Sequence, residues 1–245
     1  MAQFPDLFAG PSSGRSASLP LTAALPEETF RFIALDVETS CSDSASICQI
    51  GLACVRFDAS IVTLSSYLDP EMPFSSFNTR IHGIKAATVR GAPLFGQLFP
   101  AILPLLARHP LVQHSSFDRR AILAACAHHG LAAPALDWTD SVTIARRAWP
   151  ELKGNGGHGL GNLKQVLDLS FDHHDAGEDA RAAAMVVLRA EAHLGKAMIP
   201  APSKTGSGAG TATGASGGRT RQFRPSLHSR AMSGAGPLSP ARQSD

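Results

Sequence analysis

The chain has 245 residues, of which 44% are hydrophobic and 17% are charged, and its formal net charge is +2 at pH 7. This length and apolar content suffice for one sizeable hydrophobic core or for two small ones. No apolar stretch approaches the roughly 20 residues that a membrane span requires, and no N-terminal run resembles a signal peptide. We therefore expect no membrane segment and a cytoplasmic location. The small net charge neither indicates nor excludes nucleic acid as a ligand.

The cysteine pattern favours a reducing compartment. The four cysteines, Cys41, Cys48, Cys54 and Cys126, contain no C-x-x-C pair. A disulfide framework is unattractive without a secretion signal, and a zinc site formed by these cysteines is not favoured.

The two ends of the chain differ in composition from the middle. Residues 1–28 contain "GPSSGRSASLP", and residues 198–245 contain "SKTGSGAGTATGASGGRT" and carry six Lys/Arg against a single acid. Such segments cannot bury enough apolar surface to offset their ordering entropy. We predict a disordered N-terminal segment, a central domain at residues 29–197 and a basic disordered tail. Residues 29–200 carry 15 basic and 16 acidic side chains, so nucleic acid would have to be bound there through local features or metal ions.

Five strands are predicted in the central domain. The run "FRFIALDV" is nearly continuous in apolar residues, which is typical of a strand buried on both faces. The runs "ICQIGLACVRF" and "IVTLSSYLD" follow it, with "DAS" as a turn between them, and predict an antiparallel meander. Two shorter strands are expected in "PLVQH" and at the start of "LDWTDSVTIARRAW".

Helices are predicted between and after the later strands. The first spans about Leu94 to Arg108, where Pro100 and Pro104 should kink or shorten it. The second, "DRRAILAACAHHG", should close at Gly130. Helices are also expected in "SVTIARRAW", in "GHGLGNLKQVLDL" and over about Ala176 to Leu194, where small and apolar residues form a helical stripe. Together these elements predict an α/β fold, a mixed five-stranded sheet flanked by helices.

Carboxylates recur where predicted strands end and helices begin. Asp36 and Glu38 lie two residues apart near the end of the first strand, so their side chains share one face. Burying both is costly unless a cation neutralises them, although a frayed, hydrated strand end would also accommodate them. Asp118 follows a predicted strand and could be a helix N-cap, and Asp179 lies near the start of the last helix. Ligand-binding sites of α/β proteins lie at strand ends and helix starts, so these four carboxylates could come together in space.

The stretch "FDHHDAGEDA", residues 171–180, concentrates two histidines and four carboxylates in ten positions. Adjacent like charges repel, so folding alone does not favour such crowding. Metal binding, proton transfer and a solvated loop all remain open from these residues alone.

Four segments in a fixed order resemble the DEDDh 3′→5′ exonucleases, the group that includes the epsilon subunit of bacterial DNA polymerase III, RNase T and oligoribonuclease. These segments are "DVE", "RIHGI", "HSSFD" and "HDAGED", and the resemblance covers about residues 30–195. Two departures stand out: Ser115 occupies a position where the family often has Asn, and "ETSC" replaces the frequent "ETTG".

The resemblance implies a ribonuclease-H-like fold and hydrolysis of phosphodiesters with two divalent metal ions, Mg²⁺ or Mn²⁺, about 4 Å apart. It assigns metal binding to Asp36, which would bridge the ions, and to Glu38, Asp118 and Asp179. The family spacing H-x-A-x-x-D selects His174 over His173 as the general base. The resemblance also assigns contacts with the 3′-terminal nucleotide to the Thr39 backbone, His82 and Gly83.

The function implied is a 3′→5′ exonuclease that releases nucleoside monophosphates, with DNA favoured over RNA as substrate and proofreading or repair as its task. RNA trimming or short-oligonucleotide degradation by the same fold remains open. A binding-only module is disfavoured because it has no need for four carboxylates that repel phosphate. An HD-type phosphohydrolase, suggested by "HD" at His174 and Asp175, would leave the strand "FIALDVET" unexplained.

The segment "QFPDLF", Gln3–Phe8, resembles the glutamine-to-aromatic peptides that bacterial replication proteins insert into the sliding clamp. It could equally be a terminus that happens to contain Leu7 and Phe8. A sliding clamp or a DNA polymerase subunit is therefore a candidate partner. The basic tail could add salt-sensitive affinity for nucleic acid, or serve as a linker or part of a polymerase-binding region.

Overall fold

The first predicted strand lies in the interior of a mixed sheet, with neighbours on both edges. The computed structural model describes residues 19–21, 25–169 and 174–200. The segment Gln3–Phe8, His173 and almost all of the basic tail lie outside these residues, and the boundaries predicted after residues 28 and 197 stay predictions.

Six strands in the described residues form one sheet, in the order β1-β4-β3-β2-β5-β6. They are β1 (Leu19–Pro20), β2 (Phe32–Thr39), β3 (Ile47–Val55), β4 (Ile61–Tyr67), β5 (Leu111–Gln113) and β6 (Trp138–Asp140). Strands β2, β3 and β4 form the predicted antiparallel meander, and β5 and β6 extend it in parallel. The five predicted strands are thus confirmed. Strand β1 pairs in parallel with β4 and was not predicted, because two residues are too few to show a hydrophobic pattern.

The helices are α1 (Ser76–His82), α2 (Phe95–Leu106), α3 (Phe117–His128), α4 (Ser141–Ala148), α5 (Leu160–Val166) and α6 (Ala176–Leu194), with a short 3-10 turn at Pro150–Leu152. Helix α6 has the predicted bounds. Helix α1 was not predicted, because none of its residues is buried and it therefore lacks an amphipathic pattern.

Helices α2 and α3 show how tertiary packing and local stop signals act. Helix α2 continues through Pro100 and Pro104 and ends at Leu106, two residues before the predicted end of the span. Its buried apolar face offsets the hydrogen bonds that the prolines remove. Helix α3 ends at His128, and Gly130 just after it is the predicted stop. This glycine has a φ of +66°, and the next backbone N–H, of Leu131, donates to the carbonyl of Cys126 at 2.8 Å.

The sheet separates two main hydrophobic clusters, and β2 contributes to both through alternating side chains. Phe32 and Ala34 face α4, α5 and α6, whereas Ile33, Leu35 and Val37 face α2 and α3. This alternation means that Asp36 and Glu38 continue the row that faces α6. All four cysteines are free, and none of the helices in the described residues is long and apolar enough to cross a membrane.

Candidate active site

Asp36 and Glu38 lie at the end of β2 where α6 begins to cross the sheet. Asp36 is paired with Gly51 of β3, and Glu38 is paired with Gln49. Both carboxylates are partly buried and remain accessible from one side. The sequence prediction that they share one face is therefore confirmed.

Asp118 reaches the same strand end from α3. Its carboxylate is only 2% exposed, and its Oδ1 accepts the backbone N–H of Val37 at 3.2 Å. Strand β5 pairs with β2 only through Ile33 and Ala34, which leaves the Val37 N–H available for this contact. The alternative that Asp118 is a helix N-cap is wrong, because Ser116 precedes α3 and Asp118 is the second residue of the helix.

Asp179 and His174 complete the cluster from the start of α6. Asp179 is 4% exposed, and its Oδ2 accepts the backbone N–H of His174 at 2.9 Å. His174 adopts a φ of +70°, which is uncommon for a residue with a side chain. Ligand atoms of Glu38, His174 and Asp179 all lie within 4.8 Å of one another, a spacing at which they could share a metal ion.

The electrostatics of this cluster favour a bound cation. Burial raises the pKa of Glu38 to about 8, and the charges of Asp179 and Asp118 act in the same direction. Burial is also the main cause that raises the pKa of Asp36 well above its ordinary value, followed by the charges of Asp118 and Asp179. The pKa of Asp118 rises to about 7 by burial, against the opposing hydrogen bond from Val37. Like charges crowded in a poorly solvated site are stabilised when a divalent cation binds among them.

Gln49 holds the N-terminus of α6 against the sheet. This side chain is 3% exposed, its Nε2 donates to Asp175 Oδ2 at 2.9 Å, and its Oε1 accepts the Ala176 N–H at 3.2 Å. Asp175 is the N-cap of α6 and accepts the N–H groups of Gly177 and Glu178. Neither of these roles was predicted from the sequence; the available signal for Gln49 was one polar residue in the apolar run "ICQIGLACV".

Helix α1 brings the predicted nucleotide-binding residues to the same strand end. His82 Nδ1 accepts the N–H of Ile84 at 3.0 Å, so its Nε2 carries the proton and donates to the Thr39 carbonyl at 3.1 Å. The pKa of His82 is lowered, mainly by burial, and the positive charge of His174 contributes. The two histidines therefore lie close enough for their charges to interact. Gly83 ends α1 with a φ of +76° and has open space on its side-chain side.

Ser115, one of the two departures from the family pattern, has a φ of +91°. Asn is several-fold enriched in this backbone region relative to other residues with a side chain, because its short amide can bond locally. An Asn at this position would therefore suit the backbone conformation of this chain.

The sequence model of the exonuclease (RNase_T) family matches residues 33–187. The chain belongs to this exonuclease family. The matched range includes His174 and all four predicted metal-binding carboxylates.

Proteins of known sequence that resemble this exonuclease include PolC-type DNA polymerase III. The protein from Caldanaerobacter subterraneus subsp. tengcongensis is 27% identical over 162 residues, which cover 64% of this chain and 11% of the relative. The protein from Streptococcus pyogenes serotype M18 is 31% identical over 167 residues, which cover 66% of this chain and 11% of the relative. The chain thus corresponds to about a ninth of the length of these relatives.

Solved structures agree on the fold of this exonuclease. Exonuclease X, in complex with 5′ overhanging duplex DNA, is 25% identical with a TM-score of 0.55 over 67% of this chain and 93% of that one. The nuclease domain of 3′hExo, described as a DEDDh family member and bound to rAMP, is 18% identical with a TM-score of 0.54 over 64% and 90% of the two chains. The predicted ribonuclease-H-like fold and the DnaQ-like family are therefore confirmed.

Proposed function

We propose that the protein is a metal-dependent 3′→5′ exonuclease that releases nucleoside monophosphates from the 3′ end of nucleic acid, with DNA as the favoured substrate. The observation that carries this proposal is the convergence of four carboxylates from β2, α3 and α6 beside His174. Membership of the exonuclease family supports the same reaction.

The residues present fit two divalent cations such as Mg²⁺ or Mn²⁺. All four acids offer oxygen ligands, which these ions prefer. Burial, followed by the neighbouring carboxylates, raises the pKa values of Asp36 and Glu38, and burial raises that of Asp118. A bound cation would offset both effects. Asp36, Glu38 and Asp179 would hold one ion, and Asp36 with Asp118 the other. When bound, such ions supply the positive charge that makes water a better nucleophile and that stabilises the leaving oxygen.

His174 would take a proton from the attacking water. An imidazole titrates near neutral pH and suits this task. Its backbone N–H donates to Asp179, which fixes His174, just before the N-cap of α6, relative to the carboxylate cluster. Attack at phosphorus would break the bond to the 3′ oxygen, leaving a 3′ hydroxyl on the shortened strand.

DNA is favoured because the similar proteins include PolC-type DNA polymerases and a nuclease solved with duplex DNA. RNA remains the second candidate, since other structures with this fold are described with histone mRNA stem-loop or rAMP. The polymerase relatives also support a role beside a DNA polymerase, and the segment Gln3–Phe8 would then be a tether to the sliding clamp. We place this activity in the cytoplasm.

The decisive experiment is a timed digestion of DNA, RNA and dinucleotides labelled at either end, with Mg²⁺, Mn²⁺ or EDTA. We expect mononucleotides to leave from the 3′ end, faster from DNA, with loss of activity in EDTA and in Asp36→Ala. Asp58→Ala, an exposed acid in the β3–β4 turn, is the matched control and should retain full activity. Activity that survives Asp36→Ala, or internal cutting alone, would refute the proposal, and faster loss of RNA would select the second candidate.

A further inference from the structure

Gln49 of β3 and Asp175, the N-cap of α6, form a closed set of hydrogen bonds at the start of α6. The Gln49 side chain is 3% exposed. Its Oε1 accepts the Ala176 N–H at 3.2 Å, which leaves its Nε2 to donate to Asp175 Oδ2 at 2.9 Å. Asp175 Oδ1 accepts the N–H groups of Gly177 at 3.0 Å and of Glu178 at 3.1 Å. Each N and O atom of the two side chains therefore has a partner, which fixes the direction of every hydrogen bond.

The Gln49–Asp175 pair adjoins the residue assigned as the general base. Asp175 directly follows His174, and Gln49 is the strand partner of Glu38. His174 has a φ of +70°, and its N–H donates to Asp179 Oδ2 at 2.9 Å. A residue with a side chain keeps such a φ only where its surroundings impose it. The backbone of His174 is thus held by Asp179 at its own N–H and by Gln49 through the two residues that follow.

The requirements of a helix cap do not explain why residue 175 is an acid. Burial raises the pKa of Glu38 to about 8, and neighbouring carboxylates, including Asp175, add to this rise. The Asp175 carboxylate therefore adds to the repulsion within the cluster. Asn is as good an N-cap as Asp and would avoid this repulsion. The Nε2 of Gln49, however, requires an acceptor, and a carboxylate supplies one while its other oxygen caps α6.

We propose that Gln49 and Asp175 are positioning residues that hold His174 in place as the general base. This inference rests on the proposed function, in which His174 takes a proton from the attacking water. Ligand atoms of Glu38, His174 and Asp179 lie within 4.8 Å of one another, so a small shift of residues 174–176 removes the imidazole from this cluster. The pair acts through the backbone, so its loss lowers kcat and leaves KM nearly unchanged.

The direction of the hydrogen bonds in the pair can be reversed without changing its shape or net charge. With Gln49→Glu and Asp175→Asn together, the new amide N–H would donate to the new carboxylate, whose other oxygen would accept the Ala176 N–H. The new amide oxygen would cap α6. Each single substitution instead leaves a mismatch. Gln49→Glu sets two carboxylates face to face, and Asp175→Asn sets two N–H donors face to face whichever way the amides are turned.

The test compares kcat and KM of the unchanged protein, the two single variants and the double variant, on a 3′-labelled oligonucleotide in saturating Mg²⁺. We expect each single substitution to lower kcat about tenfold to 100-fold, the scale of a small misplacement of a reacting group. The double substitution should return kcat to near that of the unchanged protein. If Gln49→Glu does not fold, Asp175→Asn, which keeps a capping side chain, and its rescue by the second substitution still decide the question.

Two further measurements separate positioning from a structural role. Gln165→Glu with Asp58→Asn makes the same two changes at exposed positions and should alter neither kcat nor KM. In a His174→Ala background, followed over hours of single-turnover digestion, Asp175→Asn should cost no further turnover, because the residue that it positions is gone.

Several outcomes would overturn the inference. They are single variants with unchanged kcat, a double variant that regains its urea unfolding midpoint but not its kcat, and a further loss from Asp175→Asn in the His174→Ala background. Failure of the unchanged protein to hydrolyse the oligonucleotide would instead overturn the proposed function.

Discussion

Gly51 lies directly beneath the first residue of α6, where the backbone of Ala176 occupies the space that a side chain would need. A Cβ added to Gly51 would stand 2.1 Å from the carbonyl carbon and oxygen of Ala176. Gly51 is also the strand partner of Asp36. The absence of a side chain at this position therefore sets how closely α6, and with it Asp179, approaches the carboxylates of β2.

Gly51→Ala should destabilise the protein and reduce its activity. The clash is with backbone, so α6 has to move, and we expect a loss of about 1–3 kcal/mol in the free energy of unfolding and a larger proportional loss of turnover. Urea unfolding and exonuclease assays measure the two effects. Gly159→Ala is the control: Gly159, the N-cap of α5, has a φ of −72° and no atom near an added Cβ, so its substitution should cost at most about 1 kcal/mol, through the poorer N-cap, and should leave turnover unchanged. Equal effects of the two substitutions would contradict the role assigned to Gly51.

Asp36→Asn should abolish hydrolysis and, in EDTA, raise the melting temperature. The substitution removes a charge that is disfavoured by burial and by the neighbouring carboxylates. The metal-free folded protein is thereby relieved of an unfavourable electrostatic free energy. Each kcal/mol corresponds to about 2–4 °C for a chain of this size. Scanning calorimetry with and without Mg²⁺ tests this, and Mg²⁺ should raise the melting temperature of the unchanged protein more than that of the variant. A lower melting temperature of Asp36→Asn in EDTA would show that Asp36 stabilises the fold.

His174→Ala should lower kcat by about 10²–10⁴-fold, the usual contribution of a general base. His173→Ala should leave kcat nearly unchanged, because the family spacing places only His174 in register with Asp179. Both variants are compared under saturating oligonucleotide and Mg²⁺, with circular dichroism to verify folding. The opposite pattern would mean that His173 is the base.

His109 should make stability fall at mildly acidic pH. It is 4% exposed, its Nδ1 donates to the Leu105 carbonyl at 2.7 Å, and its Nε2 accepts the Phe30 N–H at 3.0 Å. Burial lowers its pKa in the folded state, so below about pH 6.5 the unfolded state binds more protons. The contribution of neutral His109 to the free energy of unfolding is therefore complete above that pH. It is lost as the pH falls through the pKa that His109 has in the folded state.

Urea unfolding between about pH 7.5 and 5.5, on either side of the unperturbed histidine pKa, measures this effect. The fall in unfolding free energy should be smaller in His109→Asn than in the unchanged protein. His128→Asn, at an exposed position on α3, is the control and should keep the full fall. An unaltered fall in His109→Asn would assign the acid sensitivity to other groups.

Much of the fold and the carboxylate cluster followed from local patterns. A strand buried on both faces is apolar throughout, and an i, i+2 pair on it shares a face, so β2, Asp36 and Glu38 could be predicted together. Helix α6 carried its own stripe and N-terminal acids, and Gly130 marked the end of α3. The order of the motifs then indicated which strand and helix ends meet.

What the tertiary structure decided were contacts between residues far apart in sequence. Nothing in the apolar run of β3 shows that Gln49 holds Asp175 or that Gly51 admits the backbone of Ala176, because those partners lie more than 120 residues away. Helix α1 buries no side chain, so no periodicity predicts it, and its position depends on hydrogen bonds to Thr39. Sequence by itself determined which chemical groups the protein has and on which elements they lie. Only the packing of α1, α3 and α6 against the end of β2 determined which of them come within reach of one another.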